Sequence, residues 1–518
     1  MNTVRLMPCK TAVIPRQTET STIILFGRSR NMSFNSYIFI LVFLPVFVIL
    51  YLSIGGIRYN AGKLLIILGG IVFYVYAGWD IAAILGVSIA VNYLMSLAIR
   101  KAHGKKTLLA LTIILNVFLL LYFKYLNFAI DTINDLAKGT IRHKDLILPL
   151  GISFFTFQQI MYIVSVWKGE TDTGIVDYLA YILYFPKLVM GPLMEPVDFY
   201  EQINDSSRKT VDWGNVASGI KIFSLGLFKK MVLADTFAKA VNWGFTYGIA
   251  TATRAPEATS GDLFLVMLFY TFQIYFDFSG YSDMAVGISK MLNIDLPVNF
   301  DSPYKATSIR DFWRRWHISL TNFLTRYVYF PLGGSKKGEI RTYANIMIVF
   351  LVSGIWHGAN WTFILWGCIH GLIQVMERGF KNRIDKLTEV VRWGCTFFSV
   401  NVLWLLFRAN SIPDFIELMR TMFKFQNMAI SDDLIEIFEL PENAFIFDKL
   451  NLTPIDIRVR GFGMLCFLVS AFLICLVPQN NYRRIGRTNA FHKIVCAIAF
   501  IWGFLCLSSE SVFVYFGF

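Results

Sequence analysis

The sequence predicts an all-α polytopic membrane protein, and three observations carry that reading: an apolar composition, long runs without charge, and basic residues confined to short connectors. Hydrophobic residues make up 55% of the chain and charged residues only 16%, against roughly half and a quarter in soluble domains. Tyr37–Leu52, Leu64–Trp79, Ile81–Ala98, Leu108–Phe123 and Leu146–Trp167 contain no charged residue. Each approaches or exceeds the roughly 17–25 residues that cross a hydrocarbon core as a helix. Further candidates are Tyr178–Met194, Val216–Ala234, Leu263–Gly280, Tyr343–Met376, Cys395–Phe407, Gly461–Val477 and Ile494–Tyr515. Window lengths predict roughly 10–13 transmembrane or re-entrant helices, with Tyr343–Met376 long enough for two passes or a bent pair.

Residues 1–31 differ in kind, with Arg5, Lys10, Arg16, Arg28 and Arg30 against one acid, Glu19. Their apolar patch, Ile23–Phe26, is too short for a signal-peptide core. They are expected to be an extension outside the membrane domain 32–518, with translation starting at Met32. The net charge of +13 does not imply nucleic acid, because Lys and Arg collect between apolar runs, where they hold loops on the cytoplasmic side. Arg100–Lys106 and the connector containing Arg58 are therefore expected inside, and the turn at Asp80 outside. The seven cysteines lie mostly within apolar runs and read as small buried hydrophobes, neither a disulfide framework nor a zinc site.

Asp301–Arg341 interleaves Arg310, Arg314, Arg315, Arg326, Lys336 and Lys337 with Trp313, Trp316, Tyr327 and Tyr329. That mixture predicts an amphipathic segment on the cytoplasmic leaflet; neighbouring spans disfavour RNA binding. Residues 420–459 form an acidic loop expected outside.

Ionisable groups at membrane depth are expensive and mark function by default. His357 lies in a stretch free of formal charge from Thr342 to Val375, which makes it the first candidate for catalysis. On an unbroken helix Asn360 and Trp361 would share its face. His370 would then stand about 20 Å away on a nearly opposite face, so it reads as structural unless the helix breaks at Gly358 or Gly367. His317 is the second candidate, beside Arg314. Asp277 and Asp283 demand partners and are expected to pair with nearby arginines. No nucleophile-elbow motif surrounds Ser279, Ser282 or Ser353, and Cys368 is a poor acyl-carrying thiol in apolar surroundings.

Gln273–Gly287 (QIYFDFSGYSDMAVG), Asp311–Leu320 (DFWRRWHISL), Tyr329–Gly334 (YFPLGG) and Ser353–Gly358 (SGIWHG) together closely resemble the membrane-bound O-acyltransferase family, in its alginate O-acetyltransferase-like branch. Met32–Phe39, Leu148–Gln158 and Val512–Phe516 fit the same pattern, so the resemblance covers essentially Met32–Phe518. It implies a ring of helices around a thin central funnel. His357 matches the family's near-invariant histidine and His317 its second one. Arg314, Arg315, Trp316, Asn360, Trp361 and Asp277 are the candidates for donor binding or the channel wall. One departure is Thr325-Arg326, where many relatives carry Arg-Asp before the tyrosine.

The activity this implies is O-acetylation of an exported polysaccharide, as in alginate biosynthesis, or of another exopolysaccharide or cell-wall polymer. The donor would be acetyl-coenzyme A or an acylated carrier protein. No tightly bound cofactor and no metal is implied. Expected partners are that donor, a secreted or membrane-anchored esterase-like acetyl acceptor and the lipid bilayer of the bacterial cytoplasmic membrane, with no nucleic acid. D-Alanyl transfer to teichoic acid is the alternative within the chemistry, and a transporter or channel the alternative outside it, although no inverted repeat is evident.

The charge pattern yields a topology test. A cysteine placed at His103 in a background lacking the native cysteines should resist a membrane-impermeant maleimide in intact cells and label after permeabilisation. Strong labelling from outside would overturn the orientation.

Overall fold

In a computed structural model, residues 32–55, 59–101, 104–250, 256–439, 456–477, 490–508 and Phe513 are described. The extension 1–31 with the expected start at Met32, Arg58, His103 and residues 440–455 of the acidic loop lie outside them, Met32 itself excepted. The described residues form helices joined by turns, with no strand among them. The all-α membrane architecture predicted from the runs is therefore the observed one.

Four described helices are long and apolar enough to span: Trp79–Lys101, Lys105–Ala137, Ser260–Met291 and Glu389–Arg408. Shorter apolar helices are Phe39–Ile54, Asn60–Val75, Gly461–Leu476 and Ala490–Leu505. Burial separates their roles. In the most apolar window of Lys105–Ala137 only 17% of residues are buried, against 83% in Ser260–Met291. The first is a peripheral helix whose apolar side chains face outward; the second is the central post.

Trp213–Phe228 packs on that post through small residues. A methyl on Gly226 would come within 2.6 Å of the Gly280 carbonyl oxygen, and one on Gly219 within 2.5 Å of that of Gly287. Backbones this close exclude any side chain. A π-helical segment, Lys229–Ala234, continues the helix and turns two adjacent lysines inward. Lys229 Nζ lies 2.7 Å from Asp283 Oδ2, and Lys230 Nζ lies 2.7 Å from Asp277 Oδ1 and 2.9 Å from Asp235 Oδ1. Both carboxylates thus have partners as expected, but among the described residues their ion-pair partners are lysines of the adjoining helix, not arginines.

Two apolar runs fold differently from single spans. Tyr178–Met194 is divided between the Ile175–Ile182 and Phe185–Leu188 helices, with Pro186 in the first turn of the second, where its missing N–H costs nothing. Tyr343–Met376 becomes a hairpin of Glu339–His357 and Trp361–Gly379. Asp301–Arg341 also departs from a surface segment. It folds into Ile309–Arg315, Ile318–Leu324 and a π-helical turn at Thr325–Tyr329, with Trp313, Trp316 and His317 buried. Aromatic packing explains the difference. Trp316 sits 5.0 Å from Phe300, 5.6 Å from Phe312 and 4.9 Å from Trp404, ring centroid to centroid, and burying rings of that size outweighs leaving them at an interface.

Candidate active site

His357 is the last residue of a 19-residue helix, so it stands about 27 Å from that helix's first residue. The helix stops because Gly358 is extended (φ −167°, ψ 156°) and Asn360 starts the next one, its side chain accepting a hydrogen bond from Thr362 N at 3.0 Å. No side chain fits at Gly358: a methyl there would lie 2.1 Å from the Phe363 ring. The hairpin closes on Gly354 and Gly367, where an added methyl would press within 2.4 Å of the Phe363 and Phe350 carbonyl oxygens respectively.

The imidazole of His357 is buried in an aromatic cage. Ring centroids lie 4.9 Å away at Trp356, 5.1 Å at Trp366 and 5.2 Å at Phe407. Trp356 is shared with His317, whose ring is 6.1 Å from it, so one indole links the two candidate histidines. His370 lies on the other flank of Trp366, at 4.7 Å, and its Nδ1 accepts a hydrogen bond from Trp313 Nε1 at 3.3 Å. The helix break that could have joined His357 and His370 is present, yet an indole stands against both rings and His370 already has a partner.

His317 occupies a left-handed corner (φ 44°, ψ 52°), a conformation costing an L-residue about 1–2 kcal/mol. Asn299 clamps the corner. Its carbonyl accepts from Ile318 N at 3.0 Å, and its Oδ1 accepts from Ser319 Oγ at 2.6 Å and Ser319 N at 3.2 Å. Both ring nitrogens of His317 are buried and find no hydrogen-bond partner among the described residues. Leaving such a group unsatisfied costs about 1–3 kcal/mol. Strain and unused hydrogen-bonding capacity at one residue are what a functional position shows.

A cavity of about 540 Å³ runs between the Ile309–Leu324 region and the hairpin. Its exposed mouth carries Arg310, Arg314, Arg378, Lys381 and, half-buried, Arg392. The two acids there are already engaged. Glu377 accepts from Ile309 N at 2.7 Å, and Asp385 pairs with Lys381 at 2.6 Å. The floor is formed by Trp313, Leu320, Phe350 and Ser353. Ser353 is one turn before His357 on the same helical face, about 6 Å along the axis.

The other sequence candidates fall in different places. Arg314 lines the cavity, whereas Arg315 is held by Asp311, with Nε 3.0 Å from both carboxylate oxygens. Trp316 belongs to the aromatic core, not to the cavity wall. Asn360 and Trp361 leave the face of His357 because the helix ends before them. Asn360 Nδ2 donates to the Asn410 carbonyl at 2.7 Å, and Trp361 is half exposed against Phe128. Asp277 is held by Lys230 in the core. Arg326, at the departure noted above, reaches Glu195 at 3.2 Å and Glu170 at 3.5 Å, and Tyr327 Oη donates to Glu195 Oε2 at 2.8 Å. Acids from distant loops thus meet Arg326 and Tyr327. Sequence reading missed Arg378, Lys381 and Arg392, which join Arg310 only through the fold. It also missed Lys124, although a lone lysine in an apolar helix is a signal in itself.

The family profile of the membrane-bound O-acyltransferases matches residues 107–412. A peptidoglycan O-acetyltransferase of Helicobacter pylori is 33% identical over 96% of this chain and 100% of its own length. The chain belongs to the membrane-bound O-acyltransferase family. It is an acyltransferase of the membrane, and the hairpin carrying His357 lies within the matched region. A probable alginate O-acetylase of Pseudomonas aeruginosa is 35% identical over 85% of this chain and 81% of that protein. Likeness to a teichoic acid D-alanyltransferase of Streptococcus thermophilus is weaker, 29% over 46% of this chain.

The ion pair at Asp277 generates a test. Breaking a buried pair by removing one partner costs about 3–5 kcal/mol. Asp277→Asn should therefore lower the thermal midpoint and the amount of inserted protein, while activity per inserted molecule stays within about threefold. A stable variant with activity abolished would return Asp277 to the site.

Proposed function

We propose that this acyltransferase works in the bacterial cytoplasmic membrane, carrying acetyl groups from a cytoplasmic thioester to an exported polysaccharide. The observation that carries the reading is the cavity with a basic mouth and an apolar floor that ends one helical turn from His357. A basic mouth suits an anionic donor, either acetyl-coenzyme A or an acylated acidic carrier protein, and the excess of Arg and Lys supports a cytoplasmic location for it. The names of the two long-matching relatives support acetate as the acyl group and peptidoglycan or alginate as the kind of polymer modified. The weaker D-alanyltransferase match makes that chemistry the lesser reading. An esterase-like acceptor outside the membrane would complete the route.

The acceptor hydroxyl oxygen attacks the thioester carbonyl carbon, the C–S bond breaks, and the thiolate leaves. His357, as general base, takes the hydroxyl proton and can return it to the departing sulfur. Its aromatic cage excludes water, which would otherwise hydrolyse the thioester. His317 stands across Trp356 with its ring nitrogens uncommitted, a second group able to hold or orient a reacting oxygen.

His357→Ala should lower acetyl transfer by about 10²–10⁴-fold, the usual contribution of a general acid–base group, with membrane abundance unchanged. His370→Ala should keep measurable activity per folded molecule, and Arg314→Gln should raise the donor KM more than it lowers kcat. A well-inserted His357→Ala protein transferring acetate at the wild-type rate would contradict the assignment.

A further inference from the structure

The end of the Glu339–His357 helix lies inside the protein, where its last carbonyls have no intrahelical partner and little water to meet. Gly358 continues in an extended conformation, so no following turn folds back to supply backbone N–H groups. The donors come instead from a residue more than two hundred positions away. Lys124 Nζ lies 2.7 Å from the Trp356 carbonyl oxygen and 2.9 Å from that of His357.

Lys124 projects from the Lys105–Ala137 helix, which is long and apolar enough to span a membrane. A lysine there is costly unless its ammonium is used. Its placement uses the side-chain nitrogen twice. Two N–H groups satisfy two orphan carbonyls, and the amine sits at the negative end of the helix dipole, where a positive charge is favoured. The ammonium also stands 5.9 Å from the centroid of the Trp356 ring, the indole shared by His357 and His317. One side chain thus fixes the backbone of His357 and lies near the indole that both histidines pack against.

We propose that Lys124 is a positioning residue for acyl transfer: it pins the carbonyls of Trp356 and His357, sets where the helix ends, and so sets where the His357 imidazole points. The proposal rests on the reading of His357 as the general base. Reacting atoms tolerate little displacement; an error of about 1 Å from a remote change costs on the order of a hundredfold in rate.

The test is the kinetics of purified, reconstituted protein carrying Lys124→Met, which keeps the apolar stem and removes the donors. With acetyl-coenzyme A, or the acylated carrier protein if that is the functional donor, kcat should fall about a hundredfold with donor KM within about twofold of wild type. Adding Lys124→Met to His357→Ala should produce little further loss, because both changes act through one imidazole. A wild-type kcat in inserted Lys124→Met protein overturns the proposal, and so does a raised KM with unchanged kcat, which would make Lys124 a donor-binding residue. Should Lys124→Met fail to insert, Lys124→Arg decides. It retains cation and donors and should keep kcat within about tenfold; a loss as large as that of His357→Ala overturns the positioning role. If His357→Ala is itself active, the catalytic reading fails separately, whatever the Lys124 variants do.

Discussion

A helix that ends in the protein interior is the constraint on which this site depends. Gly358, extended and without room for a side chain, breaks the run from Thr342 to Val375 and leaves His357 at the tip of a hairpin. Each carbonyl stranded by that break would cost about 1–3 kcal/mol if nothing met it. The fold answers with Lys124 on the closing helix and Asn360 on the opening one. The aromatic cage of His357 follows from the same break, because only a hairpin brings Trp366 back against His357. A straight helix would have carried Trp366 and His370 away from it.

Charge inside the molecule is distributed by the same logic. In the core, Lys229 and Lys230 meet Asp283 and Asp277 across the junction of two helices held at glycine distance. Replacing such pairs with apolar residues is often neutral for stability, so their presence is better understood as fixing the register of the two helices. Around the cavity the pattern reverses: the acids are engaged by backbone amides, by Lys381 or by Arg392, and Arg310, Arg314 and Arg378 are exposed at its mouth. A group that pairs internally holds the fold, and one that faces a cavity is available to a ligand.

Much of this was readable in advance, for identifiable reasons. Apolar runs and their lack of charge revealed the helical membrane class, since period and length are local properties. His357 stood out because no formally charged residue surrounds it in sequence from Thr342 to Val375. The inward fold of Trp313, Trp316 and His317 was not readable, because adjacent arginines mask the packing of the rings between them. Lys124 was hidden for a related reason: a window that scores apolar length treats a lone lysine as the end of a run, whereas its task is set by carbonyls far along the chain. The mouth of the cavity joins Arg310 to Arg378 and Arg392, a meeting only tertiary structure creates. Whether Asn360 shares the face of His357 turned on a helix break that two glycines permitted without requiring.

The central claim is that a thioester donor enters through the basic mouth and presents its carbonyl next to His357. The most direct measurement is an experimental structure with a non-hydrolysable thioether analogue of acetyl-coenzyme A bound. The account predicts its phosphates among Arg310, Arg314 and Arg378, its chain along Trp313 and Phe350, and its acyl end beyond Ser353 within about 3–4 Å of the His357 ring, near hydrogen-bond reach. An analogue bound at full occupancy with its acyl end outside this cavity, or separated from His357 by an intact wall of side chains, would contradict it.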